Sequence, residues 1–231
     1  MDRQLVSQTN ELKSHLFALQ SQMNPHFIYN ILAIISMEAQ ADKNDKIIKM
    51  CASLSGMMSF SASMGDGFCE MQSELLHAGH YMELMKQRYE EQFEYNIIAD
   101  ESCKMLRIPK LIIQPLCENC FKHAFKSKEG IWKINVSAYT EKGKWFVIVE
   151  DNGTGFSKQY LEQFAEMERT VTLQNVKEKV EELSIGGLCL PNIFIRLKLL
   201  YKEQFVCQIE NTDKGSRVTL GGTIDDTSIG S

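Results

Sequence analysis

The spacing of apolar residues changes once along this chain, near Glu91, and that change constrains its fold more than any other feature. From Leu5 to about Gln40 the pattern is helical: Leu5, Leu12, Leu19 and His26 recur every seven residues, with Leu16, Met23 and Asn30 four places on. So sustained a seam predicts a helix packed on a partner in a coiled coil or bundle. A second helical stretch is expected from about Lys43 to Met64 and a third from about Met71 to Glu91, parted by the breaker Gly65-Asp66-Gly67. Past Glu91 short strand-like runs take over, at Phe93–Ala99, Trp132–Thr140, Lys144–Glu150, Phe205–Glu210 and Arg217–Gly221, with helical segments between them. Glu141-Lys142-Gly143 joins two of these runs as a hairpin, and antiparallel pairing argues against a purely parallel sheet. The expected class is α+β: a helical region over 1–91, a mixed region over 92–222, and a mobile tail over 223–231 that offers almost nothing to bury.

With 231 residues and 44% apolar composition, the chain can bury one large core or two smaller ones, which excludes the disordered class. Its net charge of -5 comes from interspersed acids and bases without a Lys/Arg stripe, so nucleic acid is not expected as a direct partner. Seven cysteines, an odd number scattered through regular elements, read as reduced buried thiols and fit a reducing cytoplasm. Cys117 and Cys120 have the spacing of half a zinc site, but no second pair follows. No run approaches the roughly 18 to 20 apolar residues that span a bilayer, and MDRQLVSQTN lacks a signal-peptide hydrophobic region. The chain as given is expected to be soluble.

Four stretches carry chemistry. In Gln22-Met23-Asn24-Pro25-His26-Phe27-Ile28-Tyr29-Asn30, Pro25 removes a helical hydrogen bond and crowds the carbonyl of Ser21, at a cost of about 3 kcal/mol. The resulting bend would turn His26 out of the seam as a nucleophile, with Asn30 one turn later to orient its ring. The same residue also fits a core histidine at a heptad position. In the second stretch, Ile108-Pro109 is expected to start an apolar helix whose polar residues cluster at one end. There Glu118, Asn119, Lys122 and His123 lie within about one and a half turns, suited to a metal-bound triphosphate or to a solvated helix end.

The third stretch, Val149 to Phe156, ends a strand on Asp151 and follows it with Gly153 and Gly155, which allow positive dihedrals and close approach to a ligand. A buried Asp there would accept an adenine amino hydrogen, although Asp-Asn-Gly is also an ordinary turn. Fourth, Gly186-Gly187-Leu188-Cys189-Leu190-Pro191-Asn192 precedes the helical run Ile193–Tyr201, and amides at such an entrance suit phosphate oxygens as well as a structural loop. His77 and His80, with Glu74 and Glu83, share a helix face of metal-binding type, a pattern that exposed polar faces commonly show.

Taken in order, these blocks resemble the LytS/YesM-type sensor histidine kinases over about residues 10 to 221. QMNPHFIYN is similar to that family's phosphoacceptor signature, IPKLIIQPLCENCFKHAF to its N box, EDNGTGF to the G1 box and GGLCLPNIFIRL to the G2 box. The resemblance implies a dimerisation and phosphoacceptor region over 1–91, then a GHKL-type ATPase domain over 92–222, a two-layer α/β sandwich with a mixed sheet. It implies ATP and Mg2+ as cofactors, His26 as phosphoryl acceptor, Asn119 as Mg2+ ligand, and Lys122 and His123 near the phosphates. Asp151 would read adenine in a pocket shaped by Gly153 and Gly155, Gly187 and Asn192 would serve the lid hinge and a phosphate contact, and Gly215-Ser216 resembles the glycine turn before the last strand.

Glu118 is the carboxylate of this helix available as a base, although Pro115 occupies the place where the superfamily's ATPases carry theirs. Two further departures stand out: Cys189 replaces the second glycine usual in the G2 box, and Phe27 the acid that many other histidine kinases carry after the phosphoacceptor. The implied partners are a second copy of the chain in a four-helix arrangement and a response regulator with an acceptor aspartate. Membrane segments upstream would anchor the full-length protein, with this part in the cytoplasm. Two rival readings are a nucleotide-binding scaffold without kinase activity and an ATPase clamp in which His26 is structural.

Overall fold

Asn44 starts the second of the two helices among the described residues of the first structural unit. Its side-chain oxygen accepts from the Ile47 amide at 3.2 Å, so the chain leaves α1 (Pro25–Ala41) and enters α2 (Asp45–Ala62) through a capped reversal with Lys43 at φ 54°. Leu32, Ala39 and Cys51 are buried, whereas Phe27, Ile31, Ile34 and Ile35 of α1 and Ile47, Met50 and Leu54 of α2 stay exposed. Those residues form an apolar stripe of the kind that normally faces another helix.

The computed structural model describes residues 25–63, 66–172 and 189–224. The seam through Leu5, Leu12 and Leu19, the bend over Ser21 and the tail beyond 224 lie outside the described residues. No helix among the described residues is long and apolar enough to cross a membrane.

The chain divides after Ser63, whereas the sequence pattern carries the helical region on to Glu91. The third helix, α3 (Met71–Tyr89), makes the difference, because its Met71, Leu75, Ala78 and Met82 are buried in the same core as Phe93, Ile112, Leu116 and Ile134. Amphipathicity announces such a helix without saying which core it joins.

That core sits on one face of a five-stranded sheet. Strands β2 (Phe93–Ala99), β4 (Trp132–Glu141), β5 (Lys144–Asp151), β6 (Val206–Thr212) and β7 (Gly215–Thr223) lie in the order β2-β4-β5-β7-β6. The β2–β4 pair is parallel and the rest antiparallel, a mixed sheet. Along β5, Trp145, Val147, Val149 and Asp151 are buried while their neighbours are half-buried, the alternation of a sheet covered by helices on one side. The β4–β5 hairpin turns on Lys142 and Gly143, at φ 49° and 74°, the left-handed pair that a two-residue hairpin requires. With α4 (Gln114–Asn119), α5 (Lys158–Thr170) and α6 (Cys189–Tyr201) contributing Leu116, Phe164 and Phe194 to the core, the unit is a two-layer α/β sandwich.

Ile108-Pro109 does not start a helix. Strands β1 (Phe68–Glu70) and β3 (Arg107–Pro109) pair as an antiparallel ribbon, the chain turns at Leu111 with φ 59°, and α4 begins at Gln114. Pro115, not Pro109, occupies the first helical turn, where the missing N–H costs nothing.

Candidate functional site

Where β5 ends and β7 begins, strand register sets Ser216 opposite Asp151. Asp151 is buried, at 8% exposure. One carboxylate oxygen accepts from the Gly153 amide at 2.7 Å, and the other accepts the Ser216 hydroxyl and faces the Cys120 thiol at 3.8 Å. Burial first, then the charge of Asp151, holds the Cys120 thiol well above its ordinary pKa, so it acts as a weak donor.

Close backbone packing frames this carboxylate. A Cβ on Gly215 would fall 2.1 Å from the Asp151 carbonyl oxygen, and one on Gly153 would fall 2.5 Å from both Cβ and O of Ala124. Gly153 therefore lets the end of β5 pack against the turn after α4, where the Thr154 amide donates to the Ala124 carbonyl at 3.0 Å. At Gly155 the backbone takes φ 75°, and a Cβ would meet Asn211 Oδ1 at 2.7 Å.

Beside Asp151 opens a cavity of about 420 Å³. Asn119, His123, Asp151, Gly155, Cys189 and Ser216 supply its polar and close-approach positions, with Leu116, Val149, Tyr160, Leu190 and Val218 among the walls. Asn119 closes α4, and the next turn, Cys120–Ala124, widens into a π-helix. Such π turns are uncommon and are found at functional sites. Here the widened turn contributes Cys120, His123 and Ala124 to the same wall as Asn119.

The residues singled out from sequence separate into groups. Asn119, His123, Asp151 and Gly155 line the cavity, while Gly153 supports it from behind. Glu118 and Lys122 do not line it; they form an i,i+4 ion pair at 2.5 Å, and Gln114 donates its amide to Glu118 at 3.3 Å. That pairing raises the Lys122 pKa and engages the carboxylate expected as a base. Asn192 is exposed on α6 and is not among the lining residues, and Gly187 lies outside the described residues. His26 and Asn30 both belong to α1, in the other unit.

Sequence reasoning missed Tyr160 and Cys120 as lining residues and noticed Ser216 only as part of a turn. Cys189, the residue in the glycine position, is half-buried at the first position of α6 and lines the cavity with Asn119. Burial pushes its thiol to about 12, so it stays protonated at neutral pH. Among the described residues no cluster of three or more His, Cys, Asp or Glu is arranged to hold a metal ion. Cys120 directs its thiol to the Leu116 carbonyl at 3.4 Å, and Glu74, expected on an exposed face, is fully buried.

A mostly apolar slot with one buried carboxylate acceptor suits a flat heterocycle bearing an exocyclic amino group. Asn119 and His123 suit an anion and a hard cation at its rim, the Asn119 amide oxygen being of the type that Mg2+ prefers.

A family model for histidine kinases matches residues 14–93. The sensor histidine kinase YesM of Bacillus subtilis (strain 168) is 34% identical over 180 residues, covering 78% of this chain and 30% of that protein. The sensor protein LytS of Streptococcus mutans is 32% identical over 203 residues, covering 87% of this chain and 33% of that protein. The chain spans about a third of the length of the curated relatives it matches. Among solved structures, the histidine kinase domain of an Erythrobacter litoralis blue-light activated histidine kinase superposes with a TM-score of 0.48 at 14% identity, covering 96% of this chain and 98% of that one.

Proposed function

This chain belongs to the LytS/YesM-type sensor histidine kinases, and we propose that it binds Mg2+-ATP in the cavity beside Asp151 and transfers the γ-phosphoryl group to His26. The observation that carries this reading is the convergence on one cavity of the buried Asp151 acceptor with Asn119 and His123. Asp151, oriented by Gly153 and Ser216, accepts from the adenine amino group. Asn119 would hold Mg2+, which would offset phosphate charge, and His123 would meet a phosphate oxygen.

In the transfer, an imidazole nitrogen of His26 attacks the γ-phosphorus. A nitrogen–phosphorus bond forms, the bond from γ-phosphorus to the bridging oxygen breaks, ADP leaves and the imidazole gives up its proton to solvent. Phosphohistidine then supplies an aspartate of a response regulator. A second copy of the chain covers the exposed stripe on α1 and α2, completing a four-helix arrangement. In the full-length protein this part is cytoplasmic and the whole is anchored in the bacterial membrane, as in the family it belongs to.

Purified chain incubated with Mg2+ and γ-labelled ATP is expected to acquire acid-labile, alkali-stable label. His26→Gln is expected to lose all of it while still binding ATP. Label that survives in His26→Gln would sink the acceptor assignment. ATP binding without any label in wild type would favour a silent scaffold.

A further inference from the structure

Two of the helices that wall the cavity, α4 at its start and α6 midway along its length, adjoin one short segment of backbone. Glu74, fully buried in the first turn of α3, accepts hydrogen bonds from the amides of Leu111 at 2.8 Å, Ile112 at 2.7 Å and Ile113 at 3.1 Å. Arg196 of α6 donates to the carbonyl of Lys110 at 2.6 Å and to that of Leu111 at 3.3 Å. Two side chains from two helices thus engage five backbone groups of four consecutive residues.

The segment they grip is not a relaxed one. Leu111 sits at φ 59°, a left-handed conformation that residues with side chains rarely adopt. Ile112 and Ile113 are fully buried, so their amides have no water to fall back on. The first turn of α4 follows directly, and helix starts leave amides without acceptors inside the helix. A carboxylate accepting three amides answers this need, and the guanidinium fork satisfies the carbonyls of the same turn.

A purely structural cap would explain these contacts if nothing else depended on the segment. The geometry of the two helices says otherwise. From Ile113, α4 runs six residues, about 9 Å, to Asn119. From Arg196, α6 runs back seven residues, about 10 Å, to Cys189. The helices leave this common segment and meet again at the cavity, which Asn119 and Cys189 both line. Asp151 and Ser216 are placed instead by the β5–β7 ladder, which owes nothing to this anchorage.

We propose that Glu74 and Arg196 are positioning residues for the phosphate half of the nucleotide site, setting Asn119 on α4 against the start of α6. The proposal rests on the nucleotide reading of the cavity. Loosening the clamp splits the site: recognition of the base, held by Asp151, persists, and the contribution of the Mg2+-triphosphate is lost.

The test measures Mg2+-ATP binding by calorimetry and adenosine binding by NMR titration, for wild type, Glu74→Gln, Arg196→Gln and Arg196→Lys. Glu74→Gln and Arg196→Gln are each expected to weaken Mg2+-ATP about tenfold or more while leaving adenosine within about twofold. Arg196→Lys, which keeps a cation but loses the fork, is expected to recover part of the loss. Equal weakening of both ligands, or no weakening of either, overturns the proposal. A wild-type chain that binds neither ligand overturns the nucleotide reading instead. Should Glu74→Gln fail to fold, the two variants at the half-buried Arg196 carry the same comparison.

Discussion

Asp151→Asn is expected to weaken ATP binding about a hundredfold or more, with a single cooperative melting transition retained. The carboxylate already accepts from the Gly153 amide and the Ser216 hydroxyl, and the Cys120 thiol faces the same oxygen as Ser216. An amide can keep one oxygen toward Gly153, but it then turns an NH2 group toward Ser216 and Cys120. The Ser216 hydroxyl can rotate to accept from that NH2 group, but the adenine amino group then meets a donor in place of its charged acceptor. A hydrogen bond to a charged group contributes about 1.5 to 3 kcal/mol, and a buried donor left facing a donor costs a similar amount. About 3 kcal/mol lost from the nucleotide complex corresponds to the hundredfold effect. Calorimetric titration reads it directly, and an unchanged affinity would place the base somewhere other than Asp151.

Gly215→Ala acts on the same carboxylate from the backbone side and is expected to damage the fold as well. The added methyl would lie 2.1 Å from the Asp151 carbonyl oxygen and 2.8 Å from the Asn152 Cα. Neither atom can rotate away as a side chain would. Overpacking typically costs 1 to 3 kcal/mol, and with backbone as the obstacle about 3 kcal/mol is expected. In a unit of this size that lowers the melting temperature by about 10 °C. Because the β5–β7 ladder sets Ser216 opposite Asp151, ATP affinity falls with it. Gly79→Ala is the matched control: its methyl would meet only Ile97 Cδ1 at 3.5 Å, and alanine favours helix by about 1 kcal/mol. That variant should melt at or above wild type, and a Gly215→Ala that melts alongside it would contradict the packing described here.

These effects concern residues that differ in how plainly the sequence announces them. Phe93–Ala99 and the Lys142-Gly143 hairpin are legible because alternation and turn chemistry are local properties. Asn119, His123, Asp151 and Gly155 are legible as motif positions, and they meet at the cavity. Strands β1 and β3 are three residues long, too short for any period to show. The π turn at Cys120–Ala124 and the left-handed Leu111 have no compositional mark, yet the first shapes the cavity wall and the second sets the start of α4.

Glu74 reads in sequence like one more exposed polar residue. Its burial follows from amides that arrive 37 to 39 positions later, beyond the reach of a pattern. Ser216 finds Asp151 across 65 positions through strand register alone. Glu118 and Lys122 show the opposite case: their i,i+4 spacing is visible, and it leads them to satisfy each other rather than the cavity. The heptad seam through Leu5, Leu12 and Leu19 lies outside the described residues, and on α1 the structure shows a different apolar stripe, Phe27, Ile31, Ile34 and Ile35, left exposed.

Adenine and guanine differ at the position that Asp151 is proposed to read. Adenine offers an amino group there and guanine a carbonyl oxygen, which would face the carboxylate acceptor to acceptor with no proton between them. Competition titration of the wild-type chain in Mg2+ with ATP and GTP tests this most directly. GTP is predicted to bind at least about a hundredfold more weakly than ATP; equal affinities for the two nucleotides would contradict the assignment of the Asp151 cavity as an adenine site.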